Sequence, residues 1–234
     1  MGHVTGRLFL GLMLLCLACT SANAGGVSER SGHVNDVGLM TLANQTQLFT
    51  SPEFSFYVSP QFQWGVTKDL ELLAIVGANF GSKVETDPGL LALRYELMDG
   101  LALGLGGTFP IQDDGTLFGI YPALYATFNL AEELTLTMNV AFNLTAKDVD
   151  RSWIWHTSVI EWVFHSAWST YLEVDWVIPI EKAVADSSLN LFAGAQYNIN
   201  TTHALNLFVM MPLMPSVAPD KLSLGLTWAL AWNL

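Results

Sequence analysis

The final stretch of the chain, KLSLGLTWALAWNL, constrains its fold more than any other. Leu222, Leu224, Leu226, Trp228, Leu230, Trp232 and Leu234 hold every even position, and Ser223, Gly225, Thr227, Ala229, Ala231 and Asn233 fill the odd ones. Successive side chains of a strand point to opposite sides, so this segment has one greasy face and one small, polar face. A helix would scatter the same leucines around its axis. A greasy strand running to the last residue fits the closing strand of a bacterial outer-membrane β-barrel. Such strands usually end on an aromatic; here the last residue is Leu234, with Trp232 two before it.

The same alternation recurs upstream. Phe54, Phe56, Val58, Phe62, Trp64 and Val66 alternate with Ser55, Tyr57, Ser59, Gln61 and Gln63. Over 134–145, Leu, Met, Val and Phe alternate with Thr135, Thr137, Asn139, Ala141, Asn143 and Thr145. Further strands are predicted over 70–80, 89–97, 101–110, 117–130, 152–164, 168–180, 189–199 and 205–213, with a weakly patterned one over 38–49. Strands of this length cross a bilayer when tilted. Apolar residues make up 51% of the chain and charged ones 13%, against about 25% charged in ordinary soluble domains. Beyond residue 24, no apolar run approaches the roughly 18 residues of a membrane helix. Hydrophobicity spread over alternating strands is the other way to live in lipid.

Connections alternate too. Those at 67–69, 98–100, 131–133, 165–167 and 200–203 are short; those at 81–88, 111–116, 146–151, 182–188 and 214–220 are long. Outer-membrane barrels have short periplasmic turns and longer outer loops. With both termini in the periplasm the strand number is even, which gives an all-β, antiparallel up-and-down transmembrane barrel of about 12 strands, with 10 as the alternative, spanning 38–234. A soluble barrel would carry Lys and Glu on its exposed face, whereas the polar face here is Ser, Thr, Asn, Gln, Gly and Tyr. Pro60, Pro122 and Pro212 fall inside predicted strands, where each removes a ladder donor and predicts a bulge or an early end.

At the other end, Arg7 precedes the apolar run LFLGLMLLCLAC and the small-residue site Ser21-Ala22-Asn23-Ala24. This is the pattern of a cleaved secretory signal peptide over 1–24. Cleavage removes Cys16 and Cys19, and with them disulfides and thiol chemistry. Residues 25–37 read as a flexible tail, in the periplasm or in the lumen. The formal net charge of −12 argues against nucleic acid as a partner and biases a pore against anions. The expected partners are the lipid bilayer, the barrel assembly machinery acting on the C-terminal strand, and a small-molecule solute.

Glu71, Arg94, Glu96, Tyr121, Tyr125, Glu173 and Asp175 fall on inward positions and are the candidate lumen-lining residues. Charges in a narrow lumen either pair and plug it or form a polar, acidic constriction. Trp153, Trp155, Trp162, Trp168, Trp176, Trp228 and Trp232 are expected in the interfacial girdles. No metal-ligand spacing or phosphate loop appears, and no cofactor is expected. One pattern suggests an enzyme instead. His156 and Ser158, two apart on a strand, share a face, so the imidazole can take the hydroxyl proton. The arrangement resembles outer-membrane phospholipases and lipid A deacylases. Asp175 or Glu173 on the next strand is then the candidate acid of a lipid hydrolase using His156, Ser158 and Asp175.

Several segments resemble the putative outer-membrane transporter family named for the meta-pathway of phenol degradation. They are GVTKDLEL at 65–72, LALRYELMDGLALGLGGTFPI at 91–111, YLEVDW at 171–176 and GAQYNI at 194–199. The resemblance implies passage of small molecules, hydrophobic or aromatic ones among them, and carries over no catalytic or binding residue. The expected function is a channel or transporter rather than an enzyme, with a plugged structural or surface barrel as the alternative.

Overall fold

A computed structural model describes residues 31–49, 55–111, 118–145, 152–180, 187–214 and 223–233. The signal segment, residues 25–30 and most of the long connections lie outside the described residues.

Twelve strands follow one another: β1 (Leu39–Phe49), β2 (Ser55–Thr67), β3 (Leu70–Ile75 and Ala78–Phe80), β4 (Val84–Thr86 and Gly89–Met98), β5 (Leu101–Phe109), β6 (Gly119–Ala131), β7 (Leu134–Thr145), β8 (Trp153–His165), β9 (Trp168–Pro179), β10 (Ser188–Asn200), β11 (His203–Met214) and β12 (Ser223–Asn233). Each is antiparallel to its neighbours in sequence. β1 also pairs with β12 along its whole length, from Leu39↔Asn233 to Phe49↔Ser223. The sheet is thereby closed, and the greasy terminal strand is the one that closes it. Closure removes the unpaired edges that a bilayer cannot satisfy.

Alternation decides which side is which. On β4, Leu91, Leu93, Tyr95 and Leu97 are 48–50% exposed, whereas Ala92 and Arg94 between them are 2% and 1% exposed. In a single-layer barrel the buried set faces the lumen and the exposed apolar set faces outward. That outer wall of Leu, Phe, Ile and Trp suits hydrocarbon and would be untenable in water.

The five tight hairpins share one construction. Two residues separate the strands, namely Lys68-Asp69, Asp99-Gly100, Glu132-Glu133, Ser166-Ala167 and Thr201-Thr202. In each, the register shifts one position before the turn, skipping Val66, Leu97, Leu130, Phe164 or Ile199. The short links expected from sequence are thus shorter still, with a bulge at the rim that adds local twist. Gly100, at φ 75°, supplies the left-handed residue of its turn.

The other end departs further from expectation. The segment 81–88 is not a loop: Val84–Thr86 pairs with Ala78–Phe80, leaving three residues between the strands. β3 and β4 are both interrupted at one level, where Asp87 N–H donates to Gly77 O at 2.9 Å. The three prolines behave differently. Pro212 sits beside a register shift against β10. Pro122 and its neighbour Tyr121 drop out of the ladder to β7. Pro60 leaves the β1–β2 register unbroken.

Candidate functional site

Near the short-turn end, the lumen is crossed by residues 31–36, which lie outside the sheet. Several of their backbone groups are satisfied by side chains from the wall, as a buried extended segment requires. Gly32 N–H donates to Thr127 Oγ1 (2.9 Å), Val34 N–H to Glu96 Oε2 (3.0 Å) and Asn35 N–H to Glu71 Oε2 (2.9 Å). The carbonyls of Ser31 and His33 both accept from Arg94 Nη2, the latter at 3.0 Å. Arg94 also donates through Nη1 to Glu71 Oε1 at 2.9 Å, both side chains being 1% exposed. Its guanidinium stacks 4.5 Å from the centroid of Tyr125. The guanidinium fork serves a carboxylate and two carbonyls at once, which an ammonium would do less well. Two glycines admit the strap: a Cβ on Gly32 would lie 2.0 Å from Gly100 O, and one on Gly65 2.0 Å from Asp36 O.

Glu71, Arg94, Glu96 and Tyr125 are therefore brought together around this strap. Glu173 and Asp175 stand apart from it on β9, 0% and 5% exposed, and Asp175 Oδ1 accepts from the Thr157 hydroxyl at 2.7 Å. Beside them Val159, Tyr171, Phe192 and Phe208 fill the lumen between β8 and β11. Wall glycines give these rings room. A Cβ on Gly225 would come within 1.8 Å of Phe208.

At the long-connection end the lumen opens into a cavity of about 450 Å³ between β1 and β8. Its walls include the rings of Tyr57, Tyr121, Trp153 and Trp155, the amides of Gln45, Gln61 and Asn143, and the carboxylate of Asp87. Trp153 stands edge-on to Tyr121 (6.4 Å, 69°) and to Trp155 (6.2 Å, 63°). Trp153 and Trp155 are thus not girdle residues, because the phase of β8 turns them inward. Trp162, Trp168 and Trp176 face outward, 53%, 43% and 42% exposed. Tyr121 lines this cavity rather than the strap. Sequence reading missed Asp87, which it left in a loop. Tyr57 was already on the polar face of its strand.

The hydrolase triad is not assembled. Ser158 Oγ lies 2.9 Å from His156 Nε2, and His156 Nδ1 lies 3.0 Å from Asn139 O. A carbonyl only accepts, so Nδ1 carries the proton and Nε2 accepts from the serine hydroxyl. The pair, however, faces outward. Ser158 is paired with Val174, whose neighbours Glu173 and Asp175 point to the opposite face, into the lumen. A period of two separates the acid from the pair as surely as distance would. On an apolar wall, mutual hydrogen bonding satisfies both polar groups.

Closed antiparallel topology, an apolar exterior and a polar, part-filled interior define a transmembrane β-barrel of the outer-membrane kind. Solved structures of that class are similar to it. An outer membrane channel from Pseudomonas putida F1 aligns with a TM-score of 0.66 at 12% identity, over 88% of this chain and 100% of that one. The NanC porin aligns at 0.59 and 11%, over 83% and 100%. The CymD monoaromatic hydrocarbon channel aligns at 0.53 and 7%, over 86% and 90%. At these identities the likeness is one of fold. No protein-family model matches the sequence, and no curated protein matches it significantly.

Proposed function

We propose that this protein is a passive channel of the Gram-negative outer membrane for small molecules, hydrophobic and aromatic ones among them. The observation that carries the reading is the aromatic-walled cavity of about 450 Å³ at one end of a closed, apolar-coated barrel. A purely structural barrel has no need of such a chamber. The names of the similar structures, an outer membrane channel, a porin and a monoaromatic hydrocarbon channel, support the same reading. So does the resemblance to the meta-pathway transporter family. In this reading the signal over 1–24 is cleaved on export, and the assembly machinery inserts the barrel through β12. The short turns face the periplasm and the cavity faces the exterior.

Single-channel recording of the refolded mature protein in a planar bilayer tests it. Discrete conductance steps with cation preference are expected, and Glu173→Gln with Asp175→Asn should weaken that preference. Silence from a folded, heat-modifiable barrel would overturn the open-channel reading. A plugged barrel is the second reading, favoured by one observation, the strap at 31–36 hydrogen-bonded across the short-turn end. A variant lacking residues 25–36 separates the two. Conductance that rises in the variant makes the strap a gate, whereas silence in both leaves a structural barrel.

A further inference from the structure

The outer cavity has a chemistry narrower than "small and aromatic". Its rings do not lie parallel. The planes of Tyr121 and Trp155 stand at 69° and 63° to that of Trp153, forming an aromatic corner. A flat apolar solute stacks on one face, but a corner of faces surrounds a compact cation on several sides at once. The one charged side chain among the described residues of the lining is a carboxylate, Asp87. It is held in place, since the Tyr57 hydroxyl donates to its Oδ2 at 2.7 Å. The wall leaves space for this pair, because a Cβ on Gly77 would lie 2.3 Å from the Tyr57 oxygen and 2.6 Å from Asp87 Oδ2. Among the described residues, the cation buried within the barrel is Arg94, and it is bound to Glu71 at the far end. The acidic side chains Glu173 and Asp175 are buried in the wall on β9.

We propose that this cavity is a binding site for small organic ammonium ions, received by the Tyr121–Trp153–Trp155 corner and neutralised by Asp87. The proposal rests on the channel reading only for its biological use, since the site would bind its ligand whether or not the barrel conducts. Uncharged aromatics enter such a chamber too, but the corner and the carboxylate favour the charged form.

Calorimetric titration of the detergent-solubilised mature barrel with three probes tests this: benzyltrimethylammonium, benzyl alcohol and benzoate. They share a ring and differ in charge. The cation should bind at least about ten-fold more tightly than the alcohol, with benzoate weakest. Asp87→Asn should remove most of that preference while leaving the alcohol's affinity unchanged. Trp155→Leu should weaken both. Asp87 is exposed and its backbone bond to Gly77 does not depend on the side chain, so its variant is expected to fold, and heat-modifiable mobility checks this. Equal affinities for the three probes, or a cation preference that survives Asp87→Asn, would overturn the proposal. Conductance without cation preference in binding leaves the channel and removes the ammonium site; cation binding by a silent barrel does the reverse.

Discussion

At the scale of single residues, Arg94 does the most varied work. It neutralises Glu71, stacks on Tyr125 and holds the strap through two carbonyls. An ion pair this deeply enclosed is costly to break from one side, because the surviving partner stays buried and uncompensated. Arg94→Met is therefore expected to lower stability by roughly 3–5 kcal/mol and to release the strap. Guanidinium unfolding of the vesicle-inserted protein, followed by tryptophan fluorescence, measures the first effect. Limited proteolysis of residues 31–36 reads the second. Glu71→Gln with Arg94→Met, which leaves no stranded charge, should recover part of the stability but not the strap. A loss confined to the strap, with stability unchanged, would mean that the pair is not structural.

Among the elements, the five hairpins at the short-turn end are the most regular. Each has a two-residue turn, a bulge just before it, and a turn carbonyl that accepts an N–H from the strand beyond the hairpin, such as Thr127 N–H on Gly100 O at 2.7 Å. In the Asp99-Gly100 turn, only glycine adopts the observed φ cheaply. Gly100→Ala should cost about 1–2 kcal/mol for the left-handed backbone. The same denaturation curve measures it, with a lower midpoint and unchanged slope. The expected 12 strands depended on accepting β1, whose pattern was faint. The register explains the faintness: Asn44 and Thr46 lie on the outward face and hydrogen-bond to each other at 3.3 Å. Polar residues that satisfy one another leave no apolar signal to read.

For the whole molecule, the wall must meet hydrocarbon on one side and a crowded polar interior on the other. Leu226, on the outward face of β12 and 37% exposed, tests the first half of that statement. Leu226→Lys should destabilise the inserted barrel by about 2–4 kcal/mol if the position lies near the midplane. Its effect in a soluble barrel would be near zero. Reversible folding into phospholipid vesicles distinguishes the two outcomes.

Sequence alone determined the class of fold, because a period of two and a bilayer's intolerance of unpaired edges leave few structures besides a closed barrel. It also assigned Glu71, Arg94, Glu96, Tyr121, Tyr125, Glu173 and Asp175 to one face, since facing follows from parity once a strand is recognised. Parity failed on β8, where WIWHTSVIE is apolar on both phases, so Trp153 and Trp155 were placed on the wrong side. The triad failed for a related reason. Parity holds within a strand, whereas whether Ser158 and Asp175 share a face is set by a register that only the hairpin's bulge decides, and here it separates them. The strap and the cavity lay further out of reach. A polar tail has no periodicity, and its place in the lumen depends on donors and acceptors brought from β3, β4 and β6. The chamber is space between strands distant in sequence, and only closure of the barrel creates it.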